Sequence, residues 1–217
     1  MAAGRGERLR PVTDLWPKAI LPIDGSPVIV GLLEDLAAAG IERFVVVTGH
    51  LAGQVEALIE PLPLEIRLVR QPEPLGSLDA VRRAQATTPF LAVAADTRFA
   101  AGDLGRFLAA AGQHTAIAVR RQPDRPDYTR IQLEDGRVVR VIAPEASGDW
   151  TAAPLWLVGD SAAAHLDDEI SGPPFELADV FQNAIDAGVR VSAIEIGRTR
   201  DLTTVSDLVR ENFPYLR

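Results

Sequence analysis

Short apolar runs alternate with segments of helical period through the first half of the chain. The run 44–47 (Phe-Val-Val-Val) reads as a buried strand, as do 66–69, 90–93 and 115–119. Between them the spacing of apolar positions predicts helices near 27–39, 54–59, 77–85 and 104–111. Gly40 follows the first of these helices, where a C-cap glycine belongs. Strand–helix–strand alternation implies right-handed crossovers and an α/β fold, Rossmann-like, with a mostly parallel sheet and helices on both faces.

The second half changes character. Segments 129–133 and 137–142 flank Glu134-Asp135-Gly136, a hairpin signal with Asp-Gly at the turn. The apolar run 155–158 then rejoins the sheet, followed by a helix over 177–187 that Gly188 ends, a strand over 189–196 and a last helix from Val205. No Ser/Gly-rich linker, repeat or low-complexity tract divides the chain. One domain over residues 1–217 with a small antiparallel insertion is expected.

Composition narrows the classes of function. With 22 basic and 30 acidic residues the net charge is -8, which argues against a surface that tracks nucleic-acid phosphates. The absence of cysteine excludes disulfides, thiolate metal sites and cysteine nucleophiles. No run approaches the ~18 apolar residues of a membrane span, and the N-terminus carries no basic-then-apolar secretion signal. A soluble, cytoplasmic protein is the expectation. Chains of ~200 residues bury roughly 70% of their unfolded surface, enough for a core without staples. Among the 22 basic residues Lys18 is the only lysine. Arginine does not substitute for lysine where a compact, movable point charge is needed.

Candidate chemistry clusters near the N-terminus. Gly4-Arg5-Gly6-Glu7-Arg8 lets backbone N–H groups turn towards an anion, with arginines able to clamp phosphate oxygens. A surface turn with incidental basic residues would explain Gly-x-Gly alone. The third glycine of a dinucleotide fingerprint would fall at Leu9, and no Gly-x-x-x-x-Gly-Lys-Ser/Thr occurs. Lys18 follows in Trp16-Pro17-Lys18-Ala19-Ile20-Leu21-Pro22, bracketed by prolines. Asp96 ends the run 90–95, on the strand edge where α/β sheets bind ligands, with an ordinary loop aspartate as the equal alternative. Asp201 opens the last helical segment, where a turn or capping aspartate is the simpler reading.

The stretch Ala2-Ala3-Gly4-Arg5-Gly6-Glu7-Arg8-Leu9-Arg10-Pro11-Val12-Thr13, with Pro17-Lys18 and Leu21-Pro22-Ile23, resembles the signature of the sugar-1-phosphate nucleotidylyltransferases. The resemblance covers most of the chain and thins after about residue 120. It implies the nucleotide-diphospho-sugar transferase fold, with a nucleotide-binding N-terminal half and a sugar-binding C-terminal half. It also implies the reaction NTP + sugar 1-phosphate → NDP-sugar + pyrophosphate. The loop of Ala3, Gly4, Gly6 and Glu7 would take the triphosphate, Gly4 and Gly6 through backbone donors. Arg8 would hold the departing pyrophosphate and Lys18 the α-phosphate. Gln71-Pro72-Glu73-Pro74-Leu75-Gly76-Ser77 resembles the base-recognition stretch, so Gln71 and the Gly76 backbone would contact the nucleobase. An ordinary exposed polar residue is the alternative for Gln71. Asp96 and Asp201 match the family's two metal-binding aspartates, which implies Mg²⁺ against the α-phosphate. Mg²⁺ takes one or two carboxylates and completes its shell with phosphate oxygens and water. Displacement would then be in line at the α-phosphorus, with no covalent intermediate and no general base. His50, His114 and His165 fall in no matched motif and receive no role.

The acceptor side departs from the pattern. The family's Glu-Lys-Pro after the hairpin is replaced by Ala143-Pro144-Glu145, and its Asn-Ala-Gly by Ala152-Ala153-Pro154. Glu176 in Phe175-Glu176-Leu177 matches a sugar-pocket glutamate, with a helix-start carboxylate as the plain alternative. Arg130 or Arg140 could replace the lost lysine. Two readings remain open: an active transferase for an unusual sugar phosphate or related acceptor, and a non-catalytic nucleotide-binding or regulatory relative. The family's short apolar strand before Ala-Ala-Gly has only Met1 preceding it here, so the given chain is expected to start late. Base and sugar are left open, as is assembly into a homo-oligomer.

Overall fold

The computed structural model of the chain describes residues 1–121, 128–142, 149–213 and 215. It divides into two compact units. One is Met1–Leu75 with Ala94–Phe99 and Thr199–Arg217, and the other is Gly76–Val93 with Ala100–Arg198.

In the first unit the strand Arg43–Thr48 pairs in parallel with Glu65–Arg70, in unbroken register from Arg43 opposite Glu65 to Thr48 opposite Arg70. The helix Ala52–Ile59 makes the crossover and buries Val55 and Ile59, four residues apart on one face. Valines 46 and 47 are buried on alternate sides of their strand, as β-branched residues at a two-sided sheet position should be. The helix Val28–Ala38 buries Val28, Ile29, Leu32, Leu33 and Leu36, a stripe of helical period. It stops as its glycine signal predicts. Ile41 N donates to Leu36 O and Gly40 N to Ala37 O, both at 3.0 Å, which is the Schellman closure.

The entering chain docks on the same strands. Ala2 bridges Thr48 in parallel and its amide donates to Val47 O at 2.7 Å. Leu9, Leu21, Ile23, Val28 and Leu202 form a buried cluster, against which Val12 and Leu208 pack. Residues on both sides of Lys18 are thereby fixed by burial. The helix Val205–Asn212 opens with a capping box between Thr204 and Asp207.

One polar contact in this unit has a titratable consequence. Glu56 accepts from Arg70 Nε at 3.0 Å and Nη2 at 2.7 Å, and from Thr48 Oγ1 at 2.8 Å. These donors, Arg70 first, hold its carboxyl below the usual value of 4.5. A carboxyl lowered by folding contributes stability above its unfolded pKa and loses it as pH falls through the folded one. Thermal melts of wild type and Glu56→Gln are therefore expected to differ most above pH 4.5 and to converge on acidification.

The second unit is built on a six-stranded mixed sheet. Its order is Phe90–Val93, Trp150–Val158, Ala116–Arg121, Val191–Glu195, Arg137–Ile142, Arg130–Glu134. Val191–Glu195 lies parallel to Ala116–Arg121, and the remaining neighbours are antiparallel. The hairpin turn has Asp135 at φ 48° and Gly136 at φ 72°, the paired positive angles for which Asp-Gly is suited. The strand that the apolar run 155–158 announces begins earlier, at Trp150, and shifts register between Ala152 and Trp156. Phe107, Phe181, Leu78, Ile117 and Leu155 are fully buried. Trp156 meets Phe181 edge-on with centroids 4.7 Å apart. The altered Ala143-Pro144-Glu145 lies outside the described residues.

Candidate active site

The first unit carries a cleft of about 380 Å³ lined by Gly4, Gly6, Glu7, Arg8, Lys18 and Asp96 among others. Local folding explains each placement. Gly6 sits at φ +64°, and a Cβ there would lie 2.9 Å from Thr13 Cγ2 and 3.3 Å from Lys18 Cβ. Both the backbone angle and the close approach require glycine. The 3₁₀ turn Glu7–Leu9 follows, with Leu9 buried in the hydrophobic cluster and Glu7 and Arg8 exposed along the cleft. Gly6 O accepts from Leu9 N and from Thr13 Oγ1, each at 2.8 Å.

Lys18 opens a second 3₁₀ turn, Lys18–Ile20, after Pro17. Ala19 and Leu21 point into the core, which leaves the lysine facing the cleft. There its ammonium pairs with Asp96 Oδ2, each side chain 21% exposed. Asp201 stands beside this pair in the backbone, since Leu202 N donates to Asp96 O at 3.2 Å. The two-residue strands Thr97–Arg98 and Arg200–Asp201 pair with Thr97 opposite Asp201. The Asp201 carboxylate is buried, accepting from Thr97 Oγ1 at 2.5 Å and Thr199 Oγ1 at 2.6 Å. It does not belong to the cleft lining, where Thr203 stands instead.

A cation in the cleft would meet the Asp96 carboxylate and the oxygens of a bound phosphate. Among the described residues no three His, Cys, Asp or Glu side chains cluster into a cage. A hard carboxylate donor in a phosphate-sized cleft suits Mg²⁺, which takes one or two carboxylates and keeps water and phosphate in its shell.

The other predicted residues are placed as follows. Ala3 is buried behind the loop and its carbonyl accepts from His50 N at 3.3 Å. Gln71 is buried at the end of Glu65–Arg70, its backbone N–H donating to Thr48 O at 2.7 Å, and is not part of the cleft lining. Gly76 and Glu176 belong to the second unit, where they are near neighbours. Gly76 sits at φ +104°. A Cβ there would collide with the backbone of Phe175, 2.6 Å from its nitrogen and closer still to its carbonyl oxygen. Gly76→Ala is therefore expected to lower the unfolding midpoint, with roughly 1–3 kcal/mol from the backbone angle alone and more from the collision. Thermal denaturation checks this.

Comparison with known proteins fixes the family. Residues 1–169 match the model that describes the MobA-like NTP transferase domain.

The chain belongs to the MobA-like NTP transferase family.

The chain's relatives and fold neighbours include nucleotidyltransferases. The chain is 30% identical over 223 residues to the bifunctional protein GlmU of Acidovorax ebreus (strain TPSY), covering 91% of itself and 45% of that protein. It is 28% identical over 229 residues to glucose-1-phosphate thymidylyltransferase of Streptomyces griseus, covering 98% of itself and 64% of the relative. The chain thus spans about half the length of the GlmU relatives it matches. The inositol-1-phosphate CTP transferase structure from T. maritima superposes with a TM-score of 0.83 at 21% identity, over 95% of this chain and 88% of that one. The nucleotide-diphospho-sugar transferase fold expected from the sequence is the one observed.

Three supporting residues of this NTP transferase domain have no sequence signal strong enough to single them out. His50 Nε2 lies 2.7 Å from Thr13 O, and its backbone amide reaches Ala3 O, so it ties both ends of the glycine loop. Thr97 and Thr199 hold Asp201. No helix among the described residues is long and apolar enough to cross a membrane.

Proposed function

We propose that this chain transfers a nucleotidyl group from an NTP to a sugar 1-phosphate, with Mg²⁺, releasing pyrophosphate and forming an NDP-sugar. The observation that carries the reading is the Lys18–Asp96 pair in the cleft that Gly4, Gly6 and Arg8 line. In this proposal the glycine loop and Arg8 cradle the β- and γ-phosphates. Lys18 exchanges Asp96 for the α-phosphate and stays on it as charge develops. Mg²⁺, held by Asp96 and Asp201, would neutralise the same phosphate. The sugar phosphate is already nucleophilic, so the protein needs to position it rather than deprotonate it. Gln71 and Gly76 recognise the base and Glu176 the sugar. Cytoplasmic location belongs to the same proposal.

A second reading, nucleotide binding without transfer, draws on the acceptor side. Ala152 and Ala153 are buried in the strand Trp150–Val158 and offer no side-chain donor where the resemblance calls for one. The experiment supplies each NTP with a panel of sugar 1-phosphates and measures pyrophosphate release with and without Mg²⁺. Metal-dependent release with one pair establishes transfer. NTP binding by calorimetry with every acceptor inert establishes the second reading.

A further inference from the structure

The second unit shows a contact that gives Ser77 a task. Helices Ser77–Ala84 and Leu177–Asp186 begin side by side. Leu78 N donates to Phe175 O at 2.9 Å, and the tight packing of Gly76 on Phe175 leaves no room for a side chain. Across this junction Ser77 Oγ donates to Glu176 Oε2 at 2.5 Å. The same oxygen accepts from Leu177 N at 2.8 Å. The serine hydroxyl is thus spent in both directions: its proton fixes the glutamate, and its lone pair caps the next amide.

Glu176 is otherwise an exposed carboxylate on a side chain with three rotatable bonds. Left alone it would sample many rotamers, and binding would have to order it at an entropic cost. The Ser77 bond sets one oxygen and so directs the other, Oε1, without neutralising the charge. A carboxylate oriented in this way accepts hydrogen bonds from hydroxyl groups. We infer that Ser77 is the positioning residue for acceptor recognition. It orients Glu176 towards the hydroxyls of a polyhydroxylated phosphorylated acceptor, and it lies next to the glycine assigned to the base. The inference rests on the transfer reading and deepens it.

The test separates positioning from simple capping. In Mg²⁺-dependent pyrophosphate release, Ser77→Ala is expected to raise the KM for the accepted sugar 1-phosphate about tenfold, the scale of one charge-assisted hydrogen bond. The KM for the NTP should stay within about twofold. Ser77→Thr, which keeps the hydroxyl, should restore the acceptor KM. Against a Glu176→Ala background, Ser77→Ala should add little further rise, because the residue acts through the glutamate. Equal rises in both KM values, or full additivity in the double variant, would overturn the positioning role. A lower melting temperature with unchanged acceptor KM would reduce Ser77 to a helix cap. If wild type transfers to no acceptor, the transfer reading itself fails, an outcome distinct from any of these. In that case Ser77→Ala should weaken acceptor binding measured by calorimetry, and unchanged binding would overturn the inference independently.

Discussion

Lys18→Ala is expected to lower turnover by about 10²–10³-fold with little change in melting temperature. The scale is that of removing one preorganised charge donor from a transition state. The lysine meets Asp96 in the cleft and each side chain keeps 21% exposure. A pair that retains this much access to water is worth about 1 kcal/mol or less to folding. Its deletion therefore shows in rate rather than stability. Lys18→Arg should recover only part of the loss, because a planar guanidinium on a longer stem cannot take the position of a compact ammonium between Asp96 and a phosphate. Steady-state pyrophosphate release and a thermal melt on the same preparations check both halves. Unchanged turnover in the alanine variant would remove Lys18 from the mechanism.

This residue was legible because its signal is local. The glycine loop, the flanking prolines and the lysine lie within the first 22 positions, and short-range backbone geometry decides where they point. Gly6 at φ +64° packed on Thr13 and on Lys18 is the physical content of that pattern. The helix stop at Gly40 and the Asp-Gly turn were legible for the same reason. The strand Trp150–Val158 is legible only from Leu155, because Ala152-Ala153-Pro154 interrupts the apolar run and the register shift falls there. Gln71, for which an exposed position was the plain alternative, is buried. What decides its burial is the long-range pairing of Glu65–Arg70 with Arg43–Thr48, ending at Thr48. His50 had no pattern at all. Its role depends on Thr13 and Ala3 meeting it in space, and nothing in the local sequence encodes that.

The same distinction gives Asp96 and Asp201 different expected behaviour, although the resemblance assigns them one task. Asp96→Ala is expected to abolish Mg²⁺-dependent release while the fold survives, since its carboxylate faces the cleft and its structural partner is Lys18. Asp201→Ala should lose both. Thr97 and Thr199 are buried and each gives its hydroxyl proton to Asp201. Removing the acceptor strands two donors, at ~1–3 kcal/mol for each buried unsatisfied group, and leaves a cavity besides. A combined loss on the order of 3 kcal/mol corresponds to a fall of roughly 6–12 °C in a domain of this size. Asp201→Asn separates the two functions. The amide keeps the shape and one acceptor oxygen, so one threonine stays satisfied and about half the stability should return. Activity should stay low, because an amide carries no charge for a divalent cation. Mn²⁺ titration followed by electron paramagnetic resonance should show weakened binding in both Asp96→Asn and Asp201→Asn. Wild-type Mn²⁺ affinity in Asp201→Asn would make the buried aspartate a structural clamp for the strands Thr97–Arg98 and Arg200–Asp201, and would leave Asp96 as the single carboxylate ligand.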